Sequence, residues 1–155
     1  MKTKTVALGG KGLTDKILIG GDNPVTVQTM WKEGITDLAT NNEKLDRILK
    51  QLNELKLMGC DIVRFAVPDM ESANGLNLIA ARTSMPLVAD IHFDYKLALE
   101  CLKGNVAAIR INPGNIGSFE NTRAVVEGCR DNGVAIRIGI NSGSLPQDLQ
   151  KQIAA

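Results

Sequence analysis

The sequence is poor in the features that mark nucleic-acid-binding, membrane and secreted proteins. Its 18 Lys and Arg residues nearly balance 17 Asp and Glu residues and form no basic stripe, so we predict no nucleic-acid partner. No apolar run approaches the length of a membrane-spanning helix, and the run Val6-Ala7-Leu8 is too short for the core of a signal peptide. We therefore expect a cytoplasmic protein that does not bind a membrane.

Thiols and imidazoles are scarce as well. The three cysteines, Cys60, Cys101 and Cys129, are far apart and lack the Cys-x-x-Cys spacing of many metal sites. Without a secretory signal, this spacing indicates reduced thiols that pack in the core, and we predict no metal ligands in this chain. His92 is the only histidine and Trp31 the only tryptophan, and burial is the ordinary role of a lone tryptophan.

Segments typical of strands and helices alternate along the chain. The clearest helix is Asn42–Met58, in which Leu45, Ile48 and Leu52 recur at helical spacing on one face. Single helices between successive strands predict parallel βαβ units with right-handed crossovers. The expected strands are Val25–Met30, Asp61–Val67, Leu87–Ile91, Ala107–Ile111 and Val134–Ile140, after a hairpin of Val6–Leu8 and Ile17–Ile19; the further helices are Ser72–Thr83, Tyr95–Leu102, Ser118–Asp131 and one that begins at Leu145.

A parallel α/β sheet of this kind is either open and doubly wound or part of a closed barrel. Successive predicted strands each carry polar side chains near their C-terminal ends, as in a barrel, whereas an open sheet concentrates its site at one switch point. No Gly-x-Gly-x-x-Gly follows the first strand, which counts against a dinucleotide-binding fold. We therefore predict a partial TIM (β/α)8 barrel with about the first five parallel strands plus an N-terminal hairpin. Because a complete barrel has eight strands and about 250 residues, we expect residues 1–155 to be the N-terminal part of a TIM-barrel substrate-binding domain.

Three arginines, Arg64, Arg110 and Arg137, lie within apolar strand sequence. A buried charge is costly without a partner, and near the strand ends Asp90 can pair with one of the three. The arginines therefore either pair with carboxylates on helices or loops, or bind an anion, and their repetition on three strands favours the anion. Since arginine forms two-pronged pairs with phosphate, we predict a phosphate ester or diphosphate as the ligand.

Amides and one imidazole accompany these arginines. Arg110 and Asn112 alternate with two isoleucines, so the two polar side chains should point to one side of the strand. Asn141 follows the last predicted strand in a similar position, and His92 follows Asp90 by two residues at a strand end. Both amides should therefore lie near the anion, whereas His92 is either a structural residue or a ligand contact.

The motifs that hold these residues resemble those of the 4-hydroxy-3-methylbut-2-enyl diphosphate synthases. They occur in the family's order through nearly the whole chain, and the run that starts at Arg110 is highly specific. The first loop departs from the family, which usually has Gln-Ser-Met-Thr-Asn-Thr where this chain has Gln-Thr-Met-Trp-Lys-Glu at 28–33. The matching segments are Ile-Gly-Gly-Asp-Asn-Pro (19–24), Val-Gln-Thr-Met (27–30), Gly-Cys-Asp-Ile-Val-Arg (59–64), Ala-Asp-Ile-His-Phe (89–93), Arg-Ile-Asn-Pro-Gly-Asn-Ile-Gly (110–117) and Arg-Ile-Gly-Ile-Asn-Ser-Gly-Ser-Leu (137–145).

The resemblance implies a barrel that binds 2-C-methyl-D-erythritol 2,4-cyclodiphosphate. The family opens this ring with two electrons to form 4-hydroxy-3-methylbut-2-enyl diphosphate, in the non-mevalonate route to isoprenoids. The resemblance assigns no catalytic residue here and makes Asp90 a contact or an orienting residue. It implies as diphosphate ligands Arg64, His92, Arg110, Asn112, Arg137 and Asn141.

Members of the family are also iron-sulfur oxidoreductases. Each holds a [4Fe-4S] cluster on three cysteines and a glutamate of a separate C-terminal domain, and it accepts electrons from flavodoxin or ferredoxin. It forms a homodimer in which the cluster domain of one subunit closes over the barrel of the other. We therefore expect the cluster ligands to lie outside these 155 residues and the chain to be inactive alone. Two alternatives are a non-redox phosphate-binding partial barrel and a pterin-type transferase barrel.

Overall fold

Strands and helices alternate along the chain, as the sequence predicts. The computed structural model describes residues 3–140. The strands in that range are β1 (Val6–Gly9), β2 (Lys16–Ile19), β3 (Gln28–Met30), β4 (Ile62–Val67), β5 (Leu87–Ile91), β6 (Ala108–Ile111) and β7 (Ala135–Ile138). The helices are α1 (Asn42–Leu57), α2 (Met70–Ala80), α3 (Tyr95–Cys101) and α4 (Phe119–Asp131).

The strands β3 to β7 form one parallel sheet, and β1 and β2 form a separate antiparallel hairpin. The order in the parallel sheet is β3-β4-β5-β6-β7, so each strand pairs with its neighbours in the chain and the order never reverses. A doubly wound sheet would show a reversal at its switch point, whereas a TIM barrel adds strands in sequence. The predicted partial barrel with an N-terminal hairpin is therefore confirmed.

A side-chain contact between the outermost strands shows that this sheet is strongly curved. Arg137 on β7 donates a hydrogen bond to Oε1 of Gln28 on β3, although three strands lie between them. In a flat sheet these strands would be about 19 Å apart, four spacings of about 4.8 Å, which exceeds the combined reach of the two side chains. The inner face is therefore concave, and residues that point inward converge.

The two faces of the sheet pack against different partners. Side chains on the outer face, such as Phe65 and Ile109, are buried with the apolar faces of the helices, where Ile48 and Leu76 are fully covered. On the inner face, Ile62 and Val88 form a smaller buried cluster to which the hairpin contributes Leu8. The hairpin thus covers the N-terminal ends of the strands on the inner face and leaves their C-terminal ends free for polar side chains.

Several element boundaries differ from the predicted ones for local reasons. Helix α2 begins at Met70 instead of Ser72, because the Asp69 side chain accepts a hydrogen bond from the Ser72 backbone N–H and caps the helix. Ser118 caps α4 in the same way, so this helix begins at Phe119 instead of Ser118. Strand β3 begins at Gln28 instead of Val25, which is 94% exposed. The expected helix from Leu145 lies outside the described residues.

The cysteines are buried, and the described residues contain no membrane-spanning helix. Cys60, Cys101 and Cys129 are all free and buried, which confirms their packing role. Burial raises the pKa of the Cys101 thiol to about 12 and that of the Cys129 thiol to about 11. Within residues 3–140, no helix has the length and apolar character needed to cross a bilayer.

Candidate anion-binding site at the strand ends

The predicted arginines lie on neighbouring strands of the concave face. Strand register places Asp90 on β5 opposite Arg110 on β6, and Arg110 opposite Arg137 on β7. Arg64 on β4 lies one pleat lower, opposite Val88. Because side chains alternate across a strand, all four polar residues share the inner face with Val88 and its apolar cluster. The site therefore forms directly above the apolar floor of the barrel.

Asp90 is the centre of this group. Its side chain is only 2% exposed, and its Oδ1 lies 2.8 Å from a terminal nitrogen of Arg110, from which it accepts a hydrogen bond. Its Oδ2 lies 3.4 Å from Nε of Arg64, a distance that makes an ion pair without a hydrogen bond. The sequence predicted one arginine partner for Asp90, and the structure shows two.

His92 lies beside the same carboxylate at the mouth of the barrel. Its Nε2 is 3.7 Å from Oδ2 of Asp90, and its side chain is 43% exposed. The neighbouring Phe93 is 74% exposed, with its ring centroid 6.0 Å from that of His92. The imidazole is therefore partly open to solvent beside Asp90, and a ligand contact by His92 stays a prediction.

Two residues of β3 complete the inner face. The Sδ atom of Met30 lies 3.2 Å from a terminal nitrogen of Arg64, and Gln28 accepts the hydrogen bond from Arg137. The sequence analysis did not predict these contacts of Gln28 and Met30 with arginines. The signal was their spacing of two residues, which places both on the inner face of one strand.

Asn112 shapes the loop that follows β6. It is 4% exposed, and its Oδ1 accepts a hydrogen bond of 3.1 Å from the backbone N–H of Gly114. This contact shapes the turn that leads to Ser118 and to the start of α4. Asn112 thus fixes the loop at the end of β6, and direct ligand binding by it stays a prediction. Asn141 lies outside the described residues.

The divergent first loop packs against the outer layer. The Trp31 ring stacks on Phe65 with centroids 5.3 Å apart, and Glu33 forms a 3.0 Å ion pair with Arg47 of α1. A cavity of about 330 Å³ lies between this loop and α1, and none of the three site arginines lines it. Trp31 and Glu33 of this loop therefore pack against the sheet and α1.

Comparison with known proteins identifies the family. The model of the GcpE TIM-barrel domain matches residues 11–155. The chain belongs to the GcpE TIM-barrel family. This confirms the resemblance that the sequence motifs indicated.

Curated relatives of this GcpE barrel are named as synthases. A 4-hydroxy-3-methylbut-2-en-1-yl diphosphate synthase (flavodoxin) of Treponema denticola is 57% identical over 150 residues, which cover 97% of this chain and 38% of the relative. The protein of the same name from Treponema pallidum is 51% identical, with 99% of this chain and 37% of the relative covered. The chain thus spans somewhat over a third of the length of these relatives.

A solved structure shares the fold. The dihydropteroate synthase of Yersinia pestis matches with a TM-score of 0.59 at 13% sequence identity, over 96% of this chain and 52% of that protein. At this identity the likeness concerns the fold alone. It supports the barrel architecture independently of the sequence family.

Proposed function

We propose that this chain is the diphosphate-binding part of an enzyme that reductively opens 2-C-methyl-D-erythritol 2,4-cyclodiphosphate to 4-hydroxy-3-methylbut-2-enyl diphosphate. The main support is that Arg64, Arg110 and Arg137 lie on one concave face, where the described residues place one carboxylate, Asp90, in contact with Arg64 and Arg110. Within residues 3–140 this leaves a surplus of two positive charges in the barrel mouth. A doubly charged diphosphate would neutralise that surplus, and the names of the curated relatives agree with such a ligand.

The arginines have distinct parts in this binding. Asp90 holds Arg64 and Arg110 in place before the ligand arrives, so that little side-chain entropy is lost on binding. Within residues 3–140, Arg137 has the neutral partner Gln28, and a phosphate oxygen would replace that amide oxygen with a charged acceptor. His92 would add a donor from the solvent side, and Asn112 would hold the turn amides near the ligand.

The redox cofactor of the family does not fit the residues described here. No group of three or more His, Cys, Asp or Glu side chains suited to a metal occurs within residues 3–140. Cys101 and Cys129 are buried on α3 and α4, and their raised pKa values disfavour the thiolates that an iron-sulfur cluster requires. We propose that the ligands of the [4Fe-4S] cluster lie outside this chain.

The remaining parts of the proposal concern the whole protein. We propose that residues 1–155 form the N-terminal part of the substrate-binding barrel, and that flavodoxin or ferredoxin delivers the electrons. We further propose a cytoplasmic homodimer in which a cluster domain closes over the barrel mouth. The exposed rings of Phe93 and Phe119 at the C-terminal ends of β5 and β6 would suit such a cover.

The test measures binding of the cyclic diphosphate to the intact protein by isothermal titration calorimetry. Arg110→Ala and Arg137→Ala should each weaken binding by about 2–4 kcal/mol, which is about 30-fold to 900-fold in Kd, since each removes a charged partner of a phosphate. Lysine at either position should restore little, because it lacks the two-pronged geometry of arginine.

Arg82→Ala is the matched control, because Arg82 is an exposed arginine just beyond α2. This variant should bind like the unchanged protein. Unchanged affinity in both Arg110→Ala and Arg137→Ala would contradict the proposed function. Binding of a pterin instead of the cyclic diphosphate would favour the transferase alternative.

A further inference from the structure

The guanidinium of Arg110 lies in a narrow slot between a carboxylate and a glycine. On one side, Oδ1 of Asp90 is 2.8 Å from a terminal nitrogen. On the other side, a Cβ atom added at Gly139 would lie 2.4 Å from the second terminal nitrogen, 2.8 Å from Nε and 2.9 Å from Cζ. All three distances are shorter than any that a real Cβ tolerates. The slot therefore exists because residue 139 has no side chain.

Backbone conformation gives no other reason for a glycine at this position. Gly117 and Gly133 have φ angles of 99° and 63°, in the left-handed region that favours glycine, whereas Gly139 does not lie in that region. Its backbone N–H donates to the carbonyl oxygen of Ile111 at 2.9 Å and extends the pairing of β7 with β6. Alanine could adopt the same backbone and keep this hydrogen bond, and the three atoms nearest to its Cβ would all belong to Arg110.

Residue 139 also lies on the face of the sheet that carries the site. It follows Arg137 by two residues, and the ladder pairs Arg137 with Arg110. A side chain at residue 139 would therefore project into the space between the two arginines. It would push the Arg110 guanidinium away from Asp90 and into the mouth, where its donors would no longer be held for a phosphate.

We propose that Gly139 is a positioning residue, whose missing side chain lets Arg110 rest between Asp90 and β7 in the orientation that binds an anion. This inference rests on the proposed function, because it assigns Gly139 a role through Arg110 in the same diphosphate site. Gly139 itself makes no side-chain contact with the ligand. Its effect is to set the direction of one guanidinium.

The test is a double-mutant cycle in the intact protein, with 2-C-methyl-D-erythritol 2,4-cyclodiphosphate as the titrated ligand. Gly139→Ala should raise Kd about tenfold in the presence of Arg110 and less than about twofold in an Arg110→Ala background, because residues that act through one contact are not additive. Gly34→Ala is the matched control, since a Cβ at Gly34 meets no atom within 4 Å. It should leave Kd unchanged.

Thermal unfolding of the unchanged protein, the two single variants and the double variant of the cycle shows whether any of them folds poorly. Any loss of melting temperature caused by Gly139→Ala should disappear in the Arg110→Ala background, because the clashing group is then absent. A loss of melting temperature that persists in the Arg110→Ala background would indicate a backbone effect and would overturn the inference. Additive losses of binding free energy, or an unchanged Kd in Gly139→Ala, would also overturn it. If Arg110→Ala alone leaves Kd unchanged, Arg110 does not bind the ligand and the inference fails, whereas an unchanged Kd in both Arg110→Ala and Arg137→Ala means that the proposed function fails.

Discussion

Replacing Asp90 with asparagine removes the one negative charge between Arg64 and Arg110 while keeping the size of the side chain. The carboxylate is 2% exposed and forms a 2.8 Å hydrogen bond with Arg110 and a 3.4 Å ion pair with Arg64. The asparagine amide would turn an N–H donor toward one of two arginines that have only donors to offer. We therefore expect Asp90→Asn to lower the stability of the unliganded protein.

The magnitude follows from the exposure of the partners. Breaking a fully buried ion pair costs about 3–5 kcal/mol, because one charge is left without compensation. Here the Arg64 and Arg110 side chains are 28% and 25% exposed, so water offsets part of that cost. A charged hydrogen bond contributes about 1.5–3 kcal/mol, and repulsion between the two arginines adds to its loss. We expect a decrease of about 2–3 kcal/mol in the free energy of unfolding.

Urea denaturation of the intact protein at pH 7, followed by circular dichroism, measures this change. Asp46→Asn is the control, because Asp46 is exposed on α1 and its substitution should stay within about 0.5 kcal/mol. Saturating cyclic diphosphate should stabilise both variants, since a ligand that binds only the folded state shifts unfolding by mass action. If Asp90→Asn loses no more stability than Asp46→Asn, Asp90 does not compensate the arginines and the reasoning fails.

Three further predictions concern the fold. A Cβ at Gly75 would lie 2.1 Å from the backbone carbonyl oxygen of Ile35. Gly75→Ala should therefore lower the free energy of unfolding by about 1–3 kcal/mol or more. Gly128→Ala is the control and should lower it less, because a Cβ there meets only leucine methyl groups. Asp69→Ala should cost about 1 kcal/mol at pH 7 through loss of the α2 cap. The hydrogen bond from the Ser72 backbone N–H lowers the pKa of Asp69 below 3.8. The loss of stability in Asp69→Ala should therefore be complete above pH 3.8 and vanish as pH falls through the lowered pKa. A loss that persists in acid would contradict this. The isolated 155-residue chain should self-associate in light scattering at micromolar concentration, because β3 and β7 are unpaired edges of the described sheet, and a clean monomer would contradict this.

Local sequence patterns were sufficient to predict which residues face the site. The alternation of Ile109 and Ile111 with Arg110 predicts a strand with one apolar and one polar face, and the isoleucines are buried on the helix side. The parallel arrangement places the C-terminal ends of strands at one edge, so Asp90 and His92 had to lie near Arg110. These inferences need only the period of a strand and the direction of the chain.

The partners of these residues could not be predicted, because they depend on register and curvature. Asp90 pairs with Arg110 because β5 and β6 align these two residues, and it contacts Arg64 diagonally, since Arg64 lies one pleat lower. Packing of the whole sheet sets that alignment. The contact between Arg137 and Gln28 requires the curvature of all five strands, and the conflict at Gly139 requires coordinates for the guanidinium.

The same curvature that forms the site also makes it costly without a ligand. Bending the sheet brings three guanidinium groups toward one concave face. Within the described residues, the single charge of Asp90 is shared by Arg64 and Arg110, and Gln28 offers Arg137 a neutral acceptor. Arginine does not lose its charge at accessible pH, so the repulsion cannot be relieved by deprotonation. The diphosphate proposed above would relieve it. If the chain binds that ligand, binding and the curvature of the barrel should stabilise each other, and the affinity should depend on the packing that bends the sheet as well as on the arginines themselves.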